Sequence, residues 1–562
     1  MLNYIGPTLE KHKGCDILDI NPGACLWSQK LHDFLKPRSH VLLENSPDIF
    51  QGFLDPLLNA PDSKYKLVAK DPLDLSSYRD IVNEDTFPHQ TRVDPTDPKA
   101  QDPNNTLLVT GSLVWDPNLP GLGFDSMAKQ LCHHFAAAAW TNDLFHAYGP
   151  VRTLFWVQSE DFSPMIAQAT SGMHRSNRLL EMTQDLNQVV GSERKVRPAG
   201  RAALGREPQY ELESAVRALR AGTERGIEIP PHRRDSTYDV AKHIEEVSGG
   251  TGISSVDFIQ PLLHTRHLEG KAVTGILPQS FIETIESEKR LRNEYPDLPF
   301  NPPGVYPSIK GPSPKGHPAQ KMIVQFKKAH SLAQNIVKGK AVIESIADIG
   351  EQMYLLECKA LRMVEGPPKE SIVKQIEELD SRWDRSIEAL AENYKLAPLG
   401  ELDDRISLRH SAQPRIQWDH RPFLPLMLHE DEAWPRNRLS LVSASPKPKP
   451  LGDGDDWAEW VYDFVYAIYS DPIKPIAFAL ETMQHGLSEV IKNCPSLTDP
   501  DKGGRMQMKH LRVRMLTMDM IDELVKAYRD WPFKAPGTDH SRYFRHKSSK
   551  GGVRNELRMN IR

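Results

Sequence analysis

The sequence predicts an α/β fold, in which a doubly wound sheet carries helices on both faces. Two observations lead to this prediction. Over the first ~160 residues, short apolar runs alternate with segments of helical periodicity. The first two runs enclose a tight turn and end near acidic residues, as in folds that bind nucleotides at the carboxyl ends of parallel strands.

The first βαβ unit occupies residues 15–45. It consists of a strand at 17–20, a helix at 26–35 and a second strand at 41–43. Glu44 closes the second strand about 20 residues after the first turn, where a carboxylate can accept both hydroxyl groups of a ribose. The alternative is a purely structural unit with an incidental acid.

The turn after the first strand is poor in glycine. Asp19 closes the strand, and Gly23 lets the backbone approach a ligand. Asn21 and Cys25, however, stand where a dinucleotide fingerprint has two further glycines, and no basic residue lies in the turn. A bound pyrophosphate is therefore not expected. The pattern favours S-adenosylmethionine, which has a ribose and an adenine but no phosphate.

Further elements continue the alternation. We predict a helix at 47–58, a strand at 65–69 followed by Asp71, a proline-rich loop at 88–105, a strand at 106–110 leading into Ser112, a helix at 125–147 and a strand at 151–157. Asp71 again follows the carboxyl end of a strand, and such an order makes a parallel sheet the expected arrangement.

The second half of the chain is predicted to be mostly helical. A stretch rich in proline, glycine and arginine at 191–234 resembles a mobile insertion, whose charge is more often a solvated face than a phosphate site. We predict a helical hairpin at 320–395, a strand at 421–430 that returns to the sheet, and C-terminal helices at 457–469, 476–491 and 517–531. The predicted domains are a sheet core (1–190), a partly disordered Pro/Arg-rich insertion (191–319), the hairpin (320–395), return strands (396–445), a helical C-terminal domain (446–537) and a basic tail (538–562).

Composition limits the possible functions. The net charge is −5, so any surface that binds nucleic acid must be local. Five scattered cysteines without a CxxC pair argue against a zinc site and a disulfide framework. No apolar run approaches the ~20 residues of a membrane span. Residues 1–14 resemble neither a signal peptide nor a presequence, and the early first strand leads us to expect a segment upstream.

Several motifs carry a family resemblance. They are ILDINPGACLWS, VLLEN, KDPLDLSSY, LLVTGSLVW, YGPVRTLFWV and GMHRSNRLLEMTQDL, with DPIKPIAFALETMQHGL and LVKAYRDWPFKAP near the C-terminus. In this order they resemble the ribosomal RNA adenine dimethyltransferases, which have a Rossmann-like class I methyltransferase sheet. They are most similar to the fungal mitochondrial transcription factor B branch. The resemblance covers residues 1–190 and 420–537, and the segment between them has little counterpart in the family.

The resemblance implies an S-adenosylmethionine pocket. Asp19, Asn21 and Gly23 would form the loop at the methionine end, Glu44 would bind the ribose, and Asp71 would face the adenine amino group.

The catalytic position departs from the family pattern. Ser112 stands where active members have the Asn or Asp of an N-L-P-Y motif, whose side-chain oxygen and a neighbouring carbonyl orient the target amine. A serine hydroxyl is shorter, the rigid proline is replaced by Val114, and Trp115 keeps a stacking surface, although a buried Trp is more often core. Misplacing a positioning group by ~1 Å can cost ~100-fold in rate. We therefore expect little methyl transfer and a cofactor site that is weak or vestigial.

The resemblance then implies a mitochondrial matrix protein that partners the single-subunit mitochondrial RNA polymerase and binds promoter DNA or a separated strand. Candidate nucleic-acid contacts are Arg175, Arg178, the tail residues Arg545, Lys547 and Arg554, and the aromatic residues Trp115, Trp156 and Tyr148. Two alternatives remain open. One is an active dimethyltransferase of small-subunit ribosomal RNA, and the other is a non-catalytic RNA-binding protein of the mitochondrial ribosome.

Overall fold

A computed structural model describes residues 1–193, 206–253, 255–271, 276, 279–302, 308–311, 315–412, 414–434, 436–450 and 456–534. Its centre is an eight-stranded sheet in the order β3-β2-β1-β4-β5-β8-β6-β7. The strands are β1 (Asp16–Ile20), β2 (Ser39–Leu43), β3 (Tyr65–Val68), β4 (Asn104–Ser112), β5 (Val151–Gln158), β6 (Gln184–Ser192), β7 (Leu426–Leu428) and β8 (Leu439–Pro446). Helices pack on both faces, which confirms the predicted α/β class I methyltransferase fold.

The sheet is mixed rather than wholly parallel. Strands β1 to β5 run parallel to one another, as expected for consecutive βα units. Strand β8 comes from far along the chain and pairs antiparallel with both β5 and β6. The parallel arrangement expected for the first ~160 residues is therefore confirmed, and the antiparallel pairs are those of β8, since β6 and β7 are parallel to each other.

Seventeen α-helices are present among the described residues. They are α1 (Leu2–Leu9), α2 (Leu26–Leu35), α3 (Gln51–Leu58), α4 (Leu75–Ile81), α5 (Met127–Thr141), α6 (Ser159–Met165), α7 (Arg175–Thr183), α8 (Pro208–Glu224), α9 (Ser236–Val247), α10 (Val256–Leu268), α11 (Gln279–Glu294), α12 (Gln320–Leu361), α13 (Pro367–Glu388), α14 (Leu396–Arg405), α15 (Trp457–Ile468), α16 (Ile476–Met483) and α17 (Met518–Asp530). No described helix combines the length and the apolar composition that crossing a membrane requires.

Two hydrophobic cores lie on opposite faces of the sheet. One contains α4 to α7 and, beyond them, the C-terminal helices α15 to α17. The other contains α1, α2, α8 and α9. In place of a mobile stretch, the described part of 191–234 contributes α8, whose Leu212 and Val216 are buried against the same core as Leu441 of β8. An eight-stranded sheet exposes a wide apolar surface, and α8 and α9 cover part of it.

The structure of residues 320–445 differs in detail from the predicted hairpin and return strands. Residues 320–395 form the long helices α12 and α13, while 396–405 form α14 rather than strand. Within 421–430 only β7 is extended, because Pro422 and Pro425 lack the N–H groups that a longer ladder needs. The longer return strand is β8.

Buried ion pairs fix the helical segments to one another. Asp403 of α14 accepts hydrogen bonds from Arg512 and Arg514, and all three side chains are at most 3% exposed. Arg206, just before α8, binds Asp419 through two hydrogen bonds of 2.6 and 2.7 Å. Removing one partner of such a pair would leave a buried charge, so these contacts hold the segments in one arrangement.

Candidate functional site

The candidate site lies where β1, β2 and β4 end. Strand β1 is central, with β2 on one side and β4 on the other, so their carboxyl ends lie side by side. Asn21 follows β1, Glu44 follows β2, and Ser112 ends β4. The sheet therefore brings together three of the residues that sequence reasoning selected from separate stretches.

The loop after β1 keeps the backbone of a glycine-rich turn. Asn21, Gly23 and Cys25 have φ values of 54°, 54° and 56°. Left-handed conformations are favourable for glycine and tolerated by asparagine, but they are uncommon for cysteine. Burial, with the nearby charge of Asp19, raises the pKa of the Cys25 thiol to about 12, so the thiol stays neutral. Asn21 and Cys25 replace two glycines of the fingerprint, yet the backbone keeps the left-handed conformations that glycines would favour at these positions.

Glu44 is held against this loop. One carboxylate oxygen accepts a hydrogen bond from the backbone N–H of Gly23 at 3.2 Å, and the other accepts from the N–H of Ser46 at 3.0 Å. The residue is only 2% exposed. Each carboxylate oxygen has a further lone pair, so the group can position the loop and still accept from a ligand hydroxyl.

Asp19 lies beneath the loop rather than at its surface. It is inaccessible to solvent, and one carboxylate oxygen lies 3.3 Å from His40 Nε2. His40 Nδ1 lies 3.1 Å from His32 Nδ1, and the two rings stack with Tyr65. Burial, reinforced by the neighbouring His40, lowers the pKa of His32 to about 4. The second oxygen, Asp19 Oδ1, is buried and has no hydrogen-bond partner among the described residues.

Asp71 lies in the turn that follows β3. Its Oδ1 accepts a hydrogen bond from the N–H of Leu73 at 2.9 Å, which fixes the entry into α4. The residue is half-buried.

The end of β4, which we call the catalytic corner because the family resemblance implies the catalytic position at Ser112, is tied to the loop of Asn21 to Cys25, which we call the cofactor loop. The side-chain amide of Asn21 donates to the main-chain carbonyl of Ser112 at 3.2 Å. Gly111 has a φ of 144°, and a Cβ atom there would lie 2.0 Å from the carbonyl oxygen of Ile20. The end of β4 therefore rests directly on β1. Trp115 is half-buried against the core, and its carbonyl accepts from Gln158 at 3.3 Å.

Two of the three predicted aromatic residues lie near this corner. Trp156 is opposite Ser112 in the β4–β5 register and is half-buried. It meets Trp27 edge to face at 5.8 Å between ring centroids, and the Trp27 indole donates to Thr110 at 3.0 Å. Trp27 was missed from the sequence, although its place in the first turn of α2 could have indicated it. Tyr148 is buried just before β5, at the amino-terminal ends of β4 and β5 and therefore away from this corner.

The two predicted arginines of α7 face the C-terminal helices. Arg175 stacks over Tyr466 at 4.2 Å and is half-buried. Arg178 is 6% exposed, donates to the carbonyl of Leu516 at 3.0 Å and lies over Tyr469. These contacts join α7 to the C-terminal module. The tail residues Arg545, Lys547 and Arg554 lie outside the described residues.

The residues fit S-adenosylmethionine in part. The loop from Asn21 to Cys25 and the Glu44 carboxylate have the backbone path and the acceptors that the methionine and ribose ends require. The orphaned Asp19 Oδ1 below the loop is a further buried acceptor that lacks a donor. When bound, the cofactor supplies an activated methyl group. Within the described part of the chain, no cluster of three or more His, Cys, Asp or Glu is arranged to hold a metal ion.

Comparison with known proteins supports the family resemblance. Residues 1–237 match a family model described as ribosomal RNA adenine dimethylase, whose members use S-adenosylmethionine. The matched region runs from α1 through α8 and includes Asp19, Asn21, Glu44, Asp71 and Ser112. No curated protein matches the chain.

Proposed function

We propose that this protein is a largely non-methylating relative of the ribosomal RNA adenine dimethylases, and that it acts as a transcription initiation factor in mitochondria. In this role it assists the mitochondrial RNA polymerase by holding DNA strands that have separated at the promoter. The fold supplies the binding surface, and the chemistry of methyl transfer is lost.

The state of the catalytic corner supports this proposal most directly. The position that needs an amide or carboxylate side chain holds Ser112, and the Ser112 carbonyl already accepts from Asn21. A hydroxyl on a shorter side chain cannot place an adenine amine where the longer group would. The adjacent Trp156 and Trp27 provide aromatic surface, on which unpaired bases stack with little regard to sequence.

Run-off transcription tests the role in initiation. We expect the purified protein to increase initiation by its cognate polymerase from a mitochondrial promoter, to the same extent with and without S-adenosylmethionine. Absence of any increase would refute the role.

Binding to DNA with unpaired bases tests whether such bases stack on Trp156. Trp156→Ala should weaken binding to a promoter with an unpaired bubble by about tenfold, because one base stack contributes ~1–3 kcal/mol. Trp156→Phe should retain most of the affinity. Trp434→Ala is the matched control, since Trp434 is 94% exposed. Equal weakening in Trp156→Ala and Trp434→Ala would argue against a base platform near Ser112.

A second candidate is an active dimethyltransferase of small-subunit ribosomal RNA. The retained loop conformation and the placement of Glu44 favour it. Calorimetric titration with S-adenosylmethionine, followed by a transfer assay on a ribosomal RNA hairpin, tests this candidate. Methyl transfer that disappears in Glu44→Ala would establish it over the first, and absence of cofactor binding would remove it.

A further inference from the structure

The amino-terminal half of α12 and the segment before it are free of acidic residues. Between Asp297 and Glu344 the sequence contains no Asp or Glu, although the whole protein has a net charge of −5. The same interval contains seven lysines, at 310, 315, 321, 327, 328, 338 and 340. The remainder of α12 has the opposite character, with Glu344, Asp348, Glu351 and Glu357 against Lys359. Charge is therefore segregated along a single helix.

Five of these lysines form an exposed set, which we call the lysine face: Lys310, Lys315, Lys321, Lys328 and Lys338. No ion pair joins any of them to another described residue. Lys321 and Lys328 are seven residues apart and so lie on the same side of α12. Lys321 and Lys338 are separated by about 25 Å along the helix axis, at ~1.5 Å per residue.

The opposite side of α12 is packed. Ile323 and Phe326 are buried against Leu291 of α11, and Ile309 joins the same cluster. Lys327 donates to the carbonyl of Gly311 at 3.2 Å, which keeps the segment containing Lys310 beside the helix. The lysine face is therefore displayed on a helix whose other side is fixed.

Two acidic residues of α11, Glu286 and Glu288, have partners other than this face. Glu288 of α11 lies near His330 of α12. Burial lowers the pKa of His330, and the charge of the Glu288 carboxylate opposes this lowering. Glu288 is 1% exposed and binds His264 and Arg292. Glu286 lies 2.7 Å from His267. These acids are engaged with partners of their own.

Helix stability does not explain where the lysines lie. Lys321 is in the first turn of α12, where the helix dipole disfavours a cation. Lys340 pairs with Glu207, but no described residue forms an ion pair with the exposed members of the set. A set of exposed cations that no described acid pairs with, on a helix whose opposite side is packed, fits a polyanion.

We propose that the lysine face binds the phosphate backbone of duplex DNA, beside the strand-separated region that the sheet domain holds. The choice of DNA rests on the proposed function in initiation, whereas the site itself rests on the charge and exposure of α12. A helix of 42 residues matches a stiff duplex better than a flexible strand. The overall negative charge of the protein makes such a local surface necessary for approach to DNA.

The test uses the full-length protein and a 20-base-pair DNA duplex of arbitrary sequence. Lys321→Ala/Lys328→Ala should reduce the slope of log affinity against log salt by about 1.8, since each phosphate contact to B-DNA contributes ~0.9. At 0.1 M salt this corresponds to a loss of about 60-fold. Alanine is a strong helix former, so α12 should remain intact, which circular dichroism verifies.

The matched control is Lys359→Ala/Lys374→Ala, which removes the same charge from exposed positions on the acidic part of α12 and on α13. We expect duplex binding by this variant to equal that of the wild type. Equal losses in the two double variants would overturn the inference while leaving the initiation role intact. Selective loss of binding to an RNA hairpin or to anionic phospholipid vesicles, with duplex DNA unaffected, would also overturn it. Unchanged duplex binding by Lys321→Ala/Lys328→Ala would likewise overturn it. Failure of the wild-type protein to stimulate run-off transcription, with the selective loss of duplex binding still seen in the lysine variant, would instead count against the proposed function.

Discussion

Replacing Glu44 tests whether its carboxylate organises the cofactor loop. In the wild type the two carboxylate oxygens accept from the backbone N–H groups of Gly23 and Ser46, at 3.2 and 3.0 Å. Glu44→Ala leaves both donors without a partner in a site that is nearly inaccessible to water. An unsatisfied buried donor costs about 1–3 kcal/mol. If opening of the loop governs exchange, each amide should exchange its hydrogen about 5- to 150-fold faster.

Hydrogen exchange resolved to single amides measures this effect without any cofactor. Glu44→Gln should protect only one of the two amides, because its side chain offers one oxygen and one NH₂ group. Asp48→Ala is the control, since it removes an exposed carboxylate from the same connection. Unchanged exchange at Gly23 and Ser46 in Glu44→Ala would refute the idea that this carboxylate holds the loop.

Three further variants test the packing around the site. Gly111→Ala should destabilise the protein by at least ~2 kcal/mol in urea unfolding, because the added Cβ would lie 2.0 Å from the carbonyl oxygen of Ile20. A variant as stable as the wild type would contradict the close approach of β4 and β1. Asp403→Asn removes the negative charge that pairs with the buried guanidinium groups of Arg512 and Arg514, and it should lower the free energy of unfolding by ~3–5 kcal/mol. A decrease below ~1 kcal/mol would show that these ion pairs are dispensable. Burial raises the pKa of Glu181 from 4.5 to about 7, so the folded state binds more protons and wild-type stability should fall by about 1–3 kcal/mol from pH 4.5 to 7. Glu181→Gln should reduce that fall, and an identical pH profile would contradict the assignment.

Much of the first half of the fold was predictable from local patterns. The positions of β1, α2, β3 and β5 follow from apolar runs and helical spacing, and the structure places them within a few residues of the prediction. Local periodicity determines these elements because burial on one face repeats with the geometry of the element itself.

The sheet beyond β5 was not predictable in the same way. Strand β8 enters between β5 and β6 although it lies about 250 residues after β6 in the sequence. Its pairing depends on contacts across that distance, which no local pattern specifies. One described residue of the arginine-rich stretch differs from the prediction for a similar reason. The prediction places Arg206 on a solvated face, yet the residue is 2% exposed and Asp419 neutralises it in the interior.

The sequence by itself determined which side chains the candidate site contains, including Ser112 at the position where the family resemblance implies an amide or carboxylate. It also determined that carboxylates follow successive strands. Only the tertiary structure decided that the loop keeps three left-handed residues without three glycines, that Arg178 points inward, and that Lys321, Lys328 and Lys338 of α12 are exposed. Those outcomes depend on which distant groups meet, since burial and pairing set the conformation and the direction of each side chain.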